Sequence, residues 1–225
     1  EAMGDAFWPG DAKWPGPVDY LDFLFYPKAV ENAQKAAAKF VEYLRTRDDV
    51  IVLHMVGHSL GCRVVLEIIR LLQGEGGPIV GKVCLMAAAV PTFKTAHGGE
   101  LYQALQTPTE VLILFSESDP VLEWGFPPGQ TLAKGDEGFF PSAVGRGGDV
   151  PSNAGRLVTT RITDAVHSDY WGVKDDEASK LSCAATSAFL SNAPKPRQQP
   201  ARAVSRSRTA PIRDVAESRT LPNRG

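Results

Sequence analysis

The sequence predicts an α/β fold, a mostly parallel sheet flanked by helices, and three observations carry that expectation. Short strand-forming runs recur at 49–56 (DVIVLHMV), 82–90 (KVCLMAAAV), 110–116 (EVLILFS) and 157–162 (LVTTRI). Amphipathic stretches with apolar residues at helical spacing lie among them. The first three runs are apolar nearly throughout instead of alternating, the pattern of strands covered on both faces, and strands separated by helices pair in parallel. The 225 residues are 43% hydrophobic and 22% charged. That suits one domain with a sizeable core and excludes a collagen-like or wholly disordered chain.

Taken in order, the first helix is expected over 27–47, PKAVENAQKAAAKFVEYLRTR. Pro27 suits a first helical turn, where its missing N–H costs nothing, and Val30, Ala33, Ala37, Phe40, Val41 and Leu44 fall on one stripe. The strand at 49–56 reads as buried on both faces. A helix at 60–73, LGCRVVLEIIRLLQ, ends at Gly74. Pro91 stops the strand at 82–90, a short helix fits 99–106, and the strand at 110–116 follows. From 119 to 156 glycine and proline are frequent and no period is visible, so the stretch is expected to be an irregular excursion over the surface, functional or mobile. The strand at 157–162 and a helix at 175–191, DDEASKLSCAATSAFLS, close the core, the acids Asp175, Asp176 and Glu177 favouring the helix dipole. Ahead of the first helix, 2–8 reads as the end of a strand, followed by the loop PGDAKWPGP.

These elements divide the chain into a folded domain, 1–193, and a tail, 194–225, with too little apolar content to fold. The tail has eight basic residues against Asp214 and Glu217, a net of +6, which leaves −8 on the body of a chain whose total is −2. An acidic body repels phosphate backbones, and a short basic tail is weak evidence for nucleic acid; a further reading makes the tail a nucleic-acid or membrane-surface tether. Cys62, Cys84 and Cys183 have neither paired nor metal-like spacing and read as buried small hydrophobes in a reducing compartment. No run approaches the roughly 20 apolar residues of a membrane helix. A cytoplasmic location is expected, and the start at Glu1 suggests a missing N-terminal segment.

The stretch 56–62, VGHSLGC, falls between a strand and a helix. A sharp strand-to-helix turn holds its serine in a strained backbone conformation, with glycine two residues to either side where neighbouring segments approach closely. Ser59 is then lifted above the sheet, and the N–H of Leu60, at a helix start, faces the space where an oxyanion would form. A serine nucleophile needs a base, and the base an orienting carboxylate. Asp119 follows the strand EVLILFS, and His167 follows LVTTRI; both lie beyond the C-terminal end of a strand, where open α/β sheets build their sites. Glu117 ranks second for the acid and Asp164 third. Of the other histidines, His54 lies inside a strand, His58 is the variable residue of the motif and His97 is in a loop. Trp8, Trp14, Trp124 and Trp171 are loop residues that suit either an acyl pocket or packing. No phosphate-binding, dinucleotide-binding or zinc-binding motif is present, and no metal or organic cofactor is expected.

Together GHSLG, SESDPVL and AVHSDYW resemble the α/β-hydrolase superfamily, and in particular bacterial serine-hydrolase-like proteins with a WP turn, GHS[LM]G, S-x-x-D-x-x-L and H-S-x-Y. Trp8-Pro9-Gly10, Gly57 to Gly61, Ser116 to Leu122 and His167 to Tyr170 carry the likeness. It implies an α/β-hydrolase-type fold, with Ser59 as nucleophile, Asp119 as acid, His167 as base and Leu60 as oxyanion donor. One departure is that nothing ahead of the motif matches the early strands and HG-type oxyanion loop of that family: either the chain is a fragment whose early strands are missing, the reading that Glu1 favours, or Gly10 or another N-terminal loop N–H substitutes. The activity expected is cleavage of a carboxylic ester or thioester in a small acyl substrate through an acyl-enzyme. The alternative is a catalytically silent protein of the same fold that binds a small molecule or partner.

Overall fold

The computed structural model describes residues 26–73, 77–133, 137–151 and 155–192. An apolar run has no polar side to give to water, and the structure covers both faces of the two that are most completely apolar. In β2 (Ile79–Met86) and β3 (Glu110–Phe115), Val83, Leu85, Val111 and Ile113 face one core, while Cys84, Met86, Leu112 and Leu114 face the other. The first core is filled from α2 (Gly61–Leu71), α4 (Tyr102–Gln106) and the C-terminal half of α1 (Tyr26–Arg45). The second takes Ala29, Val30 and Ala33 from the start of α1, and α7 (Glu177–Ser191) packs Ala178, Ala185 and Phe189 against it. With β1 (Val52–His58) and β4 (Leu157–Arg161) the sheet has the order β1-β2-β3-β4, every neighbouring pair parallel. The expected α/β fold, a parallel sheet flanked by helices, is therefore observed.

Three local expectations are corrected. β1 is not covered on both faces: Met55 is buried, but Val52 is 47% exposed and Val56 is 37% exposed. It is an edge strand of the described sheet, and an apolar run does not distinguish an edge from a centre. Its register slips between Leu53 and Met55, where His54 Nδ1 accepts the Lys82 N–H at 2.9 Å in place of a ladder bond. β2 ends four residues early, at Met86, because Ala87 turns the chain with φ of 45°, although Ala87 to Val90 stay buried. Cys183 is exposed on the outer side of α7, whereas Cys62 and Cys84 are buried as expected.

The largest correction concerns 119–156: its described residues are anchored into the domain at several points, although Trp124, Leu132, Phe139 and Phe140 stay exposed. It contains a π-type turn (Val121–Gly125), α5 (Phe126–Thr131) and α6 (Val144–Gly147); another single turn, α3 (Thr92–Thr95), precedes α4. Leu122, Phe126, Ala143 and Val144 enter the cores as separate anchors without a period. Backbone bonds stitch the segment down: Val144 N–H to Val90 O at 2.9 Å, Gly145 N–H to Ala88 O at 2.9 Å and Ser116 N–H to Gly145 O at 3.0 Å. A Cβ on Gly145 would lie 2.1 Å from the Ala88 nitrogen, so only glycine permits this approach.

Charged groups are used inside the domain as well. Lys82, buried within β2, donates to the carbonyls of Phe189, Leu190 and Asn192 at the C-terminal end of α7, where a cation meets the negative end of the helix dipole. Asp176 caps the other end by accepting from Ser179 N–H at 2.7 Å, which starts α7 two residues later than its acids suggest. Among the described residues no helix is long and apolar enough to cross a membrane.

Candidate active site

At the end of β1 the chain turns into α2 through Ser59, whose φ of 52° lies in the left-handed region that a non-glycine residue adopts only at a cost. The end of β2 holds this conformation from both sides: Ser59 N–H donates to Met86 O at 2.9 Å, and Ser59 O accepts from Ala89 N–H at 3.1 Å. The two flanking glycines differ in their reasons. A Cβ at Gly57 would sit 3.0 Å from the backbone of Cys62, so that position has no room; at Gly61 nothing among the described residues lies within 4 Å. Crowding explains the first glycine and not the second.

Asp119 lies just past β3, fully buried at 0% exposure. Its Oδ1 accepts from the N–H groups of Val121 and Leu122, at 3.0 and 3.2 Å, where the π-type turn begins. Oδ2 is left for His167, which follows β4, and lies 2.8 Å from Nδ1. The other ring nitrogen, Nε2, is 2.8 Å from Ser59 Oγ. A carboxylate only accepts, so Nδ1 carries the proton and Nε2 presents its lone pair to the serine hydroxyl. Three residues distant in sequence thus form one hydrogen-bonded chain, Ser59–His167–Asp119. Leu60, buried at the start of α2, has an N–H without a hydrogen-bond acceptor among the described residues.

The competing candidates are engaged elsewhere. Glu117 pairs with Arg161 at 2.9 Å, and Asp164 accepts from the Ser118 hydroxyl at 3.5 Å. His97 stacks on Tyr102 with ring centroids 4.9 Å apart. Trp124 and Trp171 are both exposed. Trp8, Trp14, Gly10, the strand expected at 2–8 and the basic tail lie outside the described residues. No cluster of three or more His, Cys, Asp or Glu suited to a metal occurs among the described residues.

The loop carrying His167 is shaped by groups that the sequence reading did not single out. Asp169 accepts the Val166 N–H at 2.8 Å and Lys174 Nζ at 2.6 Å. Burial opposes its charge, but these donors override that and hold the carboxyl below its ordinary range. The Tyr170 hydroxyl is buried; burial first, then the carboxylates of Asp119 and Asp169, push its pKa up, against the opposing effect of Ser116. His58, the variable residue of the motif, places Nε2 2.7 Å from the His167 carbonyl oxygen. Sequence carried no signal for that contact, because its partner is backbone.

Behind the serine turn, α2 anchors a buried charge cluster. Arg63 is 1% exposed and Glu67 0% exposed, and they pair at 2.9 Å. Arg63 also meets both oxygens of Glu137 at 3.2 Å, and Lys94 reaches Glu137 at 3.2 Å and Glu100 at 2.9 Å. Gln130 donates a further hydrogen bond to Glu137. Burial works against the Arg63 charge, but Glu137 and Glu67 override it and raise the guanidinium above its ordinary value. The cluster ties the segment that begins at Asp119 to the helix that begins behind Ser59.

Comparison with known proteins gives one family. A model of alpha/beta hydrolases of unknown function (DUF900) matches residues 7–124, a little over half of the chain, taking in the Ser59 turn and Asp119. No curated protein and no solved structure matches. The matched span and the parallel sheet with helices on both faces agree: the chain belongs to this family of α/β hydrolases.

Proposed function

We propose that the chain is a serine hydrolase that cleaves a carboxylic ester or thioester of a small acyl substrate through an acyl-enzyme. The observation supporting this reading is the Ser59–His167–Asp119 chain, with both hydrogen bonds at 2.8 Å. In it His167 Nε2 takes the Ser59 proton as Oγ attacks the carbonyl carbon, and the tetrahedral oxyanion develops near the Leu60 N–H. Collapse breaks the bond to the leaving oxygen or sulfur, which receives the proton from His167. Water then attacks the acyl-enzyme carbonyl, giving a proton to His167, and collapse breaks the bond to Ser59 Oγ, which takes that proton back from His167 as the acid is released. Asp119, fixed by two backbone N–H groups, keeps the imidazole in the tautomer that begins each half-reaction.

Turnover of p-nitrophenyl acetate tests the proposal. Ser59→Ala and His167→Gln should each lower kcat by about 10⁴-fold or more, and the wrong tautomer in Asp119→Asn should cost roughly as much. Retention of wild-type turnover by folded Ser59→Ala would overturn it.

A further inference from the structure

We propose that His58 is a positioning residue that tethers the base to the nucleophile by holding the main-chain carbonyl of His167. The inference rests on the serine-hydrolase reading and adds a residue to it. His58 immediately precedes Ser59, and its Nε2 lies 2.7 Å from His167 O. A carbonyl only accepts, so His58 is the Nε2–H tautomer. Two hydrogen bonds therefore close a ring of contacts: His58 to the His167 carbonyl, and the His167 imidazole back to Ser59 Oγ at 2.8 Å. His167 is gripped at three points, by Asp119, by Ser59 and, through its backbone, by His58.

The surroundings fix the tether. The His58 ring packs against the rings of His167, Trp171 and Tyr170, with centroids 4.9, 5.6 and 6.1 Å away. Burial first, and His167 second, lower its pKa to about 4, so His58 is neutral near pH 7 and adds no positive charge beside a base that becomes an imidazolium during turnover. The loop has its own supports, Asp169 on Val166 N–H at 2.8 Å and Ser182 Oγ donating to Tyr170 O at 2.9 Å. Loss of the tether therefore loosens the serine–imidazole geometry more than it unfolds the loop.

The experiment compares His58→Phe, which keeps a ring but no donor, with His58→Gln, whose amide N–H can reach a carbonyl. With p-nitrophenyl acetate, His58→Phe should lower kcat by about 10- to 100-fold with KM within about threefold, the signature of misplaced reacting groups. His58→Gln should regain most of that loss, and neither melting point should fall far. A kcat for His58→Phe within about twofold of wild type overturns the tether, and so does a His58→Gln enzyme as slow as His58→Phe. The ¹⁵N imidazole spectrum of the wild-type chain provides a readout independent of turnover and of variant folding. An Nε2–H tautomer at His58 supports the tether, and an Nδ1–H tautomer overturns it. A wild-type chain that neither hydrolyses the ester nor takes a fluorophosphonate label would sink the hydrolase reading, and the tautomer would still decide the tether.

Discussion

Replacing Glu137 by glutamine changes almost no volume and removes one negative charge from a buried cluster. The carboxylate meets Arg63 through both oxygens at 3.2 Å and Lys94 at 3.2 Å, with Gln130 as a further donor. Arg63, Lys94 and Arg70 balance Glu67, Glu100 and Glu137 in number, so the substitution leaves one uncompensated positive charge. Breaking a buried pair in this way costs about 3–5 kcal/mol. Glu100, partly exposed and already 2.9 Å from Lys94, supplies some compensation, which points to the lower end, about 3 kcal/mol. For a domain of this size that is a fall in melting temperature of roughly 10 °C, read by circular dichroism at pH 7. Removing one charge of each sign, in Arg63→Met with Glu137→Leu, should recover most of the loss, since Glu67 keeps Arg70 at 2.7 Å. A Glu137→Gln melting point within about 2 °C of wild type would refute the claim that these charges depend on one another in a dry interior.

Further outcomes follow from the same structure. Gly57→Ala, with its Cβ pressed against the Cys62 backbone at 3.0 Å, should cost about 1–3 kcal/mol in urea unfolding and lower kcat, whereas Gly61→Ala in open space should be neutral or stabilising. In the native chain Ellman's reagent should titrate Cys183 quickly; Cys62 and Cys84, whose pKa values burial raises, the latter to about 11, should react only on unfolding. His58 resists protonation in the folded state down to about pH 4, while the unfolded chain protonates it near 6.5. Its contribution to stability is therefore complete above 6.5 and lost as pH falls towards 4. Urea titrations at pH 7 and pH 4.5 should show wild type losing about 2–3 kcal/mol more than His58→Gln, and equal losses would contradict the burial of that ring.

The parts of the fold legible in sequence were those governed by side-chain pattern. β2 and β3 alternate between two cores, and α1 and α2 carry clear stripes, so their places follow from burial alone. The serine turn was legible because strand, glycine, serine and helix are contiguous, and the places of Asp119 and His167 because each lies a few residues beyond the end of a strand. What stayed hidden depends on backbone and on pairing at a distance. The 119–156 segment is held by Gly145 against Ala88 and by Glu137 against Arg63, and neither contact leaves a period. Buried lysine and arginine look like surface residues until Lys82 is seen capping α7 and Arg63 meeting two glutamates. His58 looked replaceable because what it touches is a carbonyl, which every residue has.

Fluorophosphonate labelling of the folded chain, with the modified residue mapped by mass spectrometry, tests the central claim most directly. The account predicts one labelled residue, Ser59, no labelling in Ser59→Ala, and labelling slowed by about 10³-fold or more in His167→Gln, because the serine hydroxyl 2.8 Å from that imidazole depends on it to lose its proton. A label on another residue, or none on a folded chain, would contradict it.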